Sequence, residues 1–334
     1  MTYLIFGGTG SLGKKLIDRF STRDNVVVYS RDEAKHWSLR NELTLNGKKN
    51  VKFIVGDIRD RDRVLDAIRQ VKPSVIIVAA ALKQVDTCEI SPNESILTNI
   101  TGTQNVLWAV DSIAMPLKVL FVSTDKACAP VNVYGMCKSI SERLITSHEN
   151  PNNVGQKFLC TRYGNVLESR GSIIPLFKYQ ALNGNALTVT DPNMTRFLMT
   201  LDDSVDLIET TLKYGKSGET WIPKLPSMRI GDLANIFVEE SGKPIKIIGL
   251  RPGEKKHEDL INESESVRTS LTLDKKHYVI GPVMGPYQGD RFTYSSSDDV
   301  MSKNDLKNHL KKLGIIDAPL ESFAGCSIEE IRTT

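Results

Sequence analysis

The sequence is short of several things. It has five cysteines, none at CxxC spacing. They are too few and too scattered for a disulfide framework, and the odd count suits a reducing compartment. Its five histidines, His36, His148, His257, His277 and His309, fall at no metal-ligand spacing, so no metal site is expected. No apolar run approaches the ~20 residues that a bilayer span needs, so no membrane partner is expected. Met1 leads directly into Tyr3-Leu4-Ile5-Phe6, with no basic stretch and no cleavage site. No signal peptide is therefore expected, and the chain reads as cytoplasmic. An excess of one charge is missing too. There are 43 basic and 40 acidic residues, a net +3, which gives no electrostatic case for a nucleic-acid partner.

What is present is ordinary for a globular protein. Hydrophobic residues make up 40% and charged residues 25% of 334. That supports a sizeable core in one large domain or two of common size. The first half alternates short apolar runs with amphipathic stretches. The runs are Tyr3–Phe6, Val26–Tyr29, Val51–Val55, Val75–Ala81, Val119–Ser123 and Phe158–Tyr163. Helical spacing appears over Lys14–Phe20 and Arg61–Gln70. Continuous apolar runs between amphipathic helices predict strands buried on both faces, hence a parallel sheet in a doubly wound α/β fold. Beyond about residue 164 the rhythm weakens. Helices are expected at Ser204–Leu212, Ile230–Glu240 and Asn304–Leu313. The expected division is 1–164 for a dinucleotide domain and 165–334 for a smaller C-terminal substrate-binding lobe, with some segments returning to the first domain.

The cofactor signal is Gly7-Gly8-Thr9-Gly10-Ser11-Leu12-Gly13, between a strand and a helix. Gly7, Gly10 and Gly13 stand at GxxGxxG spacing. Such a loop gives a tight turn, lets backbone N–H groups approach a pyrophosphate, and packs helix against strand. The helix N-terminus adds partial positive charge there. This is a Rossmann-type arrangement, with Thr9, Ser11 and Leu12 completing the loop. At the end of the second strand an acidic residue would bond the ribose of NAD. Here Ser30, Arg31 and Lys35 suit a 2′-phosphate, which favours NADP, while Asp32 keeps NAD open. Asp57 and Ile58 follow the third strand and could meet adenine.

The reactive set follows the fifth strand: Thr124-Asp125-Lys126, then Tyr134 and Lys138. Four apart on a helix, Tyr134 and Lys138 share a face. A lysine cation beside the phenol is expected to lower its pKa and make Tyr134 a base for a substrate alcohol. Thr124 could hydrogen-bond the same alcohol.

With these residues the chain resembles the extended short-chain dehydrogenase/reductases that act on nucleotide sugars. Further segments sharpen this: Ala79-Ala80-Ala81-Leu82-Lys83, Thr98-Asn99, Arg162-Tyr163-Gly164-Asn165-Val166, Ser169-Arg170-Gly171-Ser172, Met194-Thr195-Arg196-Phe197 and Arg251-Pro252-Gly253-Glu254-Lys255. Together they resemble the inverting UDP-N-acetylglucosamine 4,6-dehydratases, from about residue 2 to at least 258. The resemblance implies a tightly held NADP that is regenerated each turnover, and a homo-oligomer, with a hexamer as one form. It adds Ala81, Lys83 and Asn99 to the cofactor set. It places Lys83, Asn165, Arg196, Arg251 and Glu254 around the sugar and diphosphate, with Ser172 and Thr190 towards uracil.

Asp125-Lys126 is the pair found in the inverting family, whereas retaining relatives commonly carry Asp-Glu. The implied roles are Lys126 as base at C5 and Asp125 as acid at the C6 hydroxyl. Each needs a shifted pKa. An ordinary loop ion pair is the plainer reading of the two. Gln84 stands where relatives usually carry His, and Met136-Cys137 replace smaller residues. The competing functions are a retaining 4,6-dehydratase or 4-epimerase, and a non-catalytic NADP-binding regulator. Leu306, Leu310 and Leu313 could dock on a neighbouring copy or cover the chain's own core.

Overall fold

The computed structural model describes residues 1–113, 115–150, 155–167, 169, 172–284, 289–316 and 320–323. Arg170, Gly171 and Cys326, singled out in the sequence, lie outside them. The chain divides into two compact units. The first comprises 1–163, 202–224 and 262–292; the second comprises 164–201, 225–261 and 293–334.

The first unit is built on a nine-stranded sheet. Its strands are β1 (Thr2–Phe6), β2 (Asn25–Ser30), β3 (Val51–Val55), β4 (Val75–Val78), β5 (Lys118–Val122), β6 (Lys157–Thr161), β7 (Thr220–Pro223), β8 (Thr269–Leu271) and β9 (His277–Ile280). Their order across the sheet is β8-β9-β7-β6-β5-β4-β1-β2-β3. All neighbours from β3 to β7 pair in parallel, and β9 and β8 are added antiparallel. The succession 3-2-1-4-5-6 is the Rossmann order, whose reversal between β1 and β4 opens a crevice at the strands' carboxyl ends. The doubly wound parallel sheet expected from the sequence is the one observed.

The helices follow from local sequence. Helix α1 (Ser11–Phe20) buries Leu16, Ile17 and Phe20. Helix α2 (Glu33–Leu45) is capped by Asp32, which accepts from the Lys35 N–H at 3.0 Å. Helix α3 (Arg61–Val71) is capped in the same way by Asp60 and buries Val64, Leu65 and Ile68. Helices α4 (Gly102–Asp111) and α5 (Val133–Thr146) complete the set used below. The core contains Phe6, Tyr29, Ile76, Val119 and Phe158.

Three expectations need correction. β3 is an edge strand and only half-buried, because among the described residues no strand pairs with its outer side. The run Val75–Ala81 is strand only to Val78, since Asn99 holds the following backbone in a loop, accepting from Leu82 N at 2.9 Å and donating to Leu82 O at 3.0 Å. Phe158–Tyr163 is strand only as far as Thr161.

The second unit carries small sheets around the helices Ile173–Asn183, Ile230–Ser241 and Lys303–Lys312. Leu306 and Leu310 are fully buried with Ile236 and Phe237, and Leu313 packs against them. Of the two readings offered for these leucines, they cover the chain's own core. Leu310→Ala should cost about 2–5 kcal/mol, the usual range for a buried leucine. A urea titration checks this. Among the described residues no helix is long and apolar enough to cross a membrane, and no three His, Cys, Asp or Glu side chains are grouped to hold a metal. Among the described residues, Cys88, Cys128, Cys137 and Cys160 are buried and form no disulfide.

Candidate active site

The glycine loop closes tightly over the end of β1. Gly7 has φ +83°, a region that L side chains rarely enter. A Cβ there would stand 2.7 Å from Ala80 backbone atoms, and one on Gly13 would overlap the Gly8 carbonyl. Gly7 is thus required by conformation and space, and Gly13 by the contact of α1 with its own loop. No side chain caps α1 at Gly10. A bare helix start, with no Cβ above the turn at Gly7, fits a dinucleotide pyrophosphate. Ser11 and Leu12 open α1 itself.

At the end of β2, Ser30 Oγ accepts from Thr9 Oγ1 at 3.1 Å and lies 2.6 Å from His36 Nε2. Arg31 is half-exposed, 3.7 Å from Asp57. Lys35 Nζ lies 2.6 Å from Asp32. Asp32, the acid that kept NAD open, is engaged as the α2 cap. Hydrogen bonds from the Lys35 side chain and backbone hold its carboxyl below the usual range.

Other expected cofactor residues have partners within the chain. Asp57 was read as meeting adenine. Its Oδ2 instead takes Arg59 Nε at 3.0 Å and Nη2 at 2.7 Å, and its Oδ1 takes Arg59 N at 3.0 Å. Burial alone would raise its pKa, but these bonds win and lower it. Ile58 is buried in the core. Ala81 and Lys83 are exposed. Asn99, in the π-helical turn Ile96–Thr101, is taken up by Leu82.

The reactive cluster follows β5. Thr124 N-caps the 3₁₀ turn Asp125–Ala127. Asp125 is 1% exposed. Its Oδ1 accepts from Thr124 Oγ1 at 2.8 Å and from Lys126 Nζ at 3.1 Å, while Oδ2 is buried without a hydrogen-bond partner. Helix α5 starts at its cap Asn132, which accepts from Gly135 N at 2.7 Å. Gly135 lets α5 approach this turn, because a Cβ there would overlap the Lys126 carbonyl oxygen. Gly135→Ala should shift the 125–127 turn. Misplacement of that order can lower turnover about 10²-fold, with dinucleotide affinity kept. Parallel assays of turnover and dinucleotide binding check it.

Tyr134 departs from expectation. Burial pushes its phenol up to about 12. Lys126 and a hydrogen bond with Thr124 act in the lowering direction, and Asp125 opposes them. Lys138, expected to lower the phenol's pKa, is itself buried. It donates to the Val122 carbonyl and lies 3.9 Å over the Phe121 ring. Burial lowers its own pKa to about 8. The cation acting on Tyr134 is therefore Lys126.

One buried network joins Arg162 to two carboxylates that the sequence analysis does not single out. Arg162 Nε donates to Glu142 Oε1 at 2.9 Å, while Nη1 and Nη2 donate to Glu265 Oε2 and Oε1 at 2.8 Å each. All three residues are at most 4% exposed. Glu142 lies one turn beyond Lys138 on α5, so the network braces the reactive helix. Burial alone would raise the Glu265 pKa. Arg162 outweighs it, with help from the Asn262 backbone and Arg143, and the carboxyl stands at about 2. Its folded pKa lies below the ordinary 4.5, so its stabilisation is present above that value and is lost as pH falls towards 2. Urea midpoints should drop over that window, and less steeply in Glu265→Gln.

In the second unit, Asn165 Oδ1 and Ser172 Oγ are buried without partners. Thr190 Oγ1 faces Met194 Sδ at 3.1 Å. Arg251 and Glu254 form a turn with Gly253 at φ +76°. In it Glu254 Oε2 accepts from Arg251 N at 3.1 Å, and their side chains are 4.0 Å apart. Arg196, expected beside the diphosphate, donates to the carbonyls of Thr195, Lys255 and Lys256 at 2.7–3.1 Å. In this structure it holds the segment that follows the Arg251 turn.

A model of a polysaccharide biosynthesis protein family matches residues 3–280. The chain belongs to that family. A UDP-glucose 4-epimerase of Rickettsia prowazekii is 41% identical over 277 residues, covering 80% of this chain and 79% of the relative. The X-ray structure of Pen from Bacillus thuringiensis is 36% identical with a TM-score of 0.86, covering 94% of this chain and 98% of that one. A dTDP-glucose 4,6-dehydratase from Streptomyces venezuelae, with NAD bound, is 22% identical with a TM-score of 0.66, over 76% and 86% of the two chains. That last likeness is one of fold. The membership agrees with the extended short-chain dehydrogenase/reductase resemblance read from the motifs.

Proposed function

We propose that this family member is a UDP-N-acetylglucosamine 4,6-dehydratase that inverts C5, giving UDP-2-acetamido-2,6-dideoxy-L-arabino-hexos-4-ulose. The observation that carries the reading is the Asp125–Lys126 pair at the end of β5, with Asp125 buried, hydrogen-bonded to Thr124 and to the partly exposed Lys126. The first unit binds the dinucleotide, and the second supplies most UDP-sugar contacts, including Asn165, Ser172, Arg251 and Glu254. NADP is preferred because Ser30, Arg31 and Lys35 surround the place where NAD would need a free acid. Bound NADP would accept hydride from C4 in its oxidised form and return it to C6 in its reduced form.

The chain's own groups move the protons. Tyr134 takes the C4 hydroxyl proton as a phenolate, the form that burial disfavours and the hydrogen bond with Thr124 favours, with Thr124 orienting that hydroxyl. The 4-ketone acidifies C5. Neutral Lys126 then removes the C5 proton, and protonated Asp125 gives its proton to the C6 hydroxyl, which leaves as water. C5 is finally reprotonated on the opposite face.

The relative named UDP-glucose 4-epimerase favours a second reading, a 4-epimerase. Such an enzyme moves hydride at C4 alone and has no use for an acid and base at C6 and C5. Mass spectrometry separates the two. UDP-N-acetylglucosamine, without added reductant, should yield a product lighter by one water. An isomer of unchanged mass, from it or from UDP-glucose, would favour the epimerase.

A further inference from the structure

The Ser30 hydroxyl is held from two sides within the first unit. Thr9 Oγ1 donates to it at 3.1 Å, and His36 Nε2 lies 2.6 Å away. His36 is 1% exposed and packs against the Phe53 ring at 5.3 Å. Its other nitrogen, Nδ1, is buried with no hydrogen-bond partner. That orphan selects the tautomer. A proton on Nδ1 would leave a buried N–H donor unpaired, which native interiors rarely tolerate; an unpaired acceptor is tolerated better. Burial, reinforced by Arg40, pushes the imidazole pKa down, so the ring is neutral at pH 7. The single proton therefore sits on Nε2 and is donated to Ser30.

A serine hydroxyl has two acceptor lone pairs and one donor. Thr9 and His36 fill both lone pairs, so Ser30 can act towards a ligand only as a donor. A donor matches a phosphate oxygen, where the bond is charge-assisted and about twice as strong as a neutral one. It cannot do what a carboxylate does for a free ribose hydroxyl, which is to accept. We propose that His36 is a positioning residue that fixes Ser30 as an outward donor and thereby selects a dinucleotide bearing a 2′-phosphate on its adenosine ribose. Arg31 and Lys35 supply the charge, and the His36–Ser30–Thr9 chain supplies the direction. This inference rests on the NADP reading above.

Calorimetric titration of NADP⁺ and NAD⁺ into four proteins tests it: wild type, His36→Phe, His36→Gln and Ser30→Ala. Wild type should prefer NADP⁺. His36→Phe and Ser30→Ala should each lose about tenfold in NADP⁺ affinity, the scale of one charge-assisted bond, with NAD⁺ affinity nearly unchanged. His36→Gln places an amide donor near the position of Nε2 and should restore the preference. Equal losses for both dinucleotides in His36→Phe would reduce His36 to packing and overturn the relay. If His36→Phe does not fold, full NADP⁺ selectivity in Ser30→Ala overturns it instead. A wild type that binds NAD⁺ as tightly as NADP⁺ would overturn the cofactor reading itself, and the relay with it.

Discussion

Replacing Lys126 with Met should abolish exchange of the C5 proton and lower dehydration by about 10²- to 10⁴-fold, the range typical of a general base. The variant should still fold and bind NADP⁺. Lys126 Nζ ends on Asp125 Oδ1 at 3.1 Å, and its side chain is partly exposed, so its removal opens no large cavity. Asp125 keeps its bond from Thr124. Oxidation at C4 does not require Lys126 as base. A trapped 4-keto sugar that retains its C6 hydroxyl is therefore the expected signature. Unchanged C5 exchange, measured by NMR in D₂O, would remove Lys126 from the role.

The second large effect is on stability. Arg162→Met should destabilise the protein by about 3–5 kcal/mol, the cost of breaking a buried ion network from one side. The guanidinium has bonds to both Glu142 and Glu265. Without it two carboxylates are left buried and mutually repelling. Urea titration at neutral pH reads the loss directly. Combining Arg162→Met with Glu142→Gln and Glu265→Gln should recover part of it, because the uncompensated charges are gone. A change below about 1 kcal/mol for Arg162→Met would mean that the network contributes little. Activity should also fall, since Glu142 shares α5 with Tyr134 and Lys138.

Much of the fold was legible because its signals are local. Six apolar runs and a glycine loop mark the parallel sheet, and period and turn chemistry are enough to read them. β7, β8 and β9 were harder. They are short, they come from passages that return to the first unit, and no local pattern reports a long-range pairing. The reactive set was legible for a similar reason: Thr124, Asp125, Lys126, Tyr134 and Lys138 lie within one stretch of chain. The direction of the Tyr134 shift was not. Spacing places Lys138 on the phenol's side of α5, but burial and the reach of Lys138 towards Val122 are three-dimensional facts. Arg162, Glu142 and Glu265 are separated by up to 123 residues, so no local pattern joins them. His36 lacked a signal because its role depends on a ring nitrogen left unpaired in the interior. The near-neutral charge total hid all of these local arrangements.

The central claim is dehydration with inversion, and one measurement tests it most directly. The protein is incubated with UDP-N-acetylglucosamine in D₂O without reductant, and the product is followed by NMR. The account predicts a 6-deoxy-4-keto sugar carrying deuterium at C5 in the L-arabino configuration. A 6-deoxy product of D-configuration, a C4 epimer that keeps its C6 hydroxyl, or a sugar that does not change would contradict it.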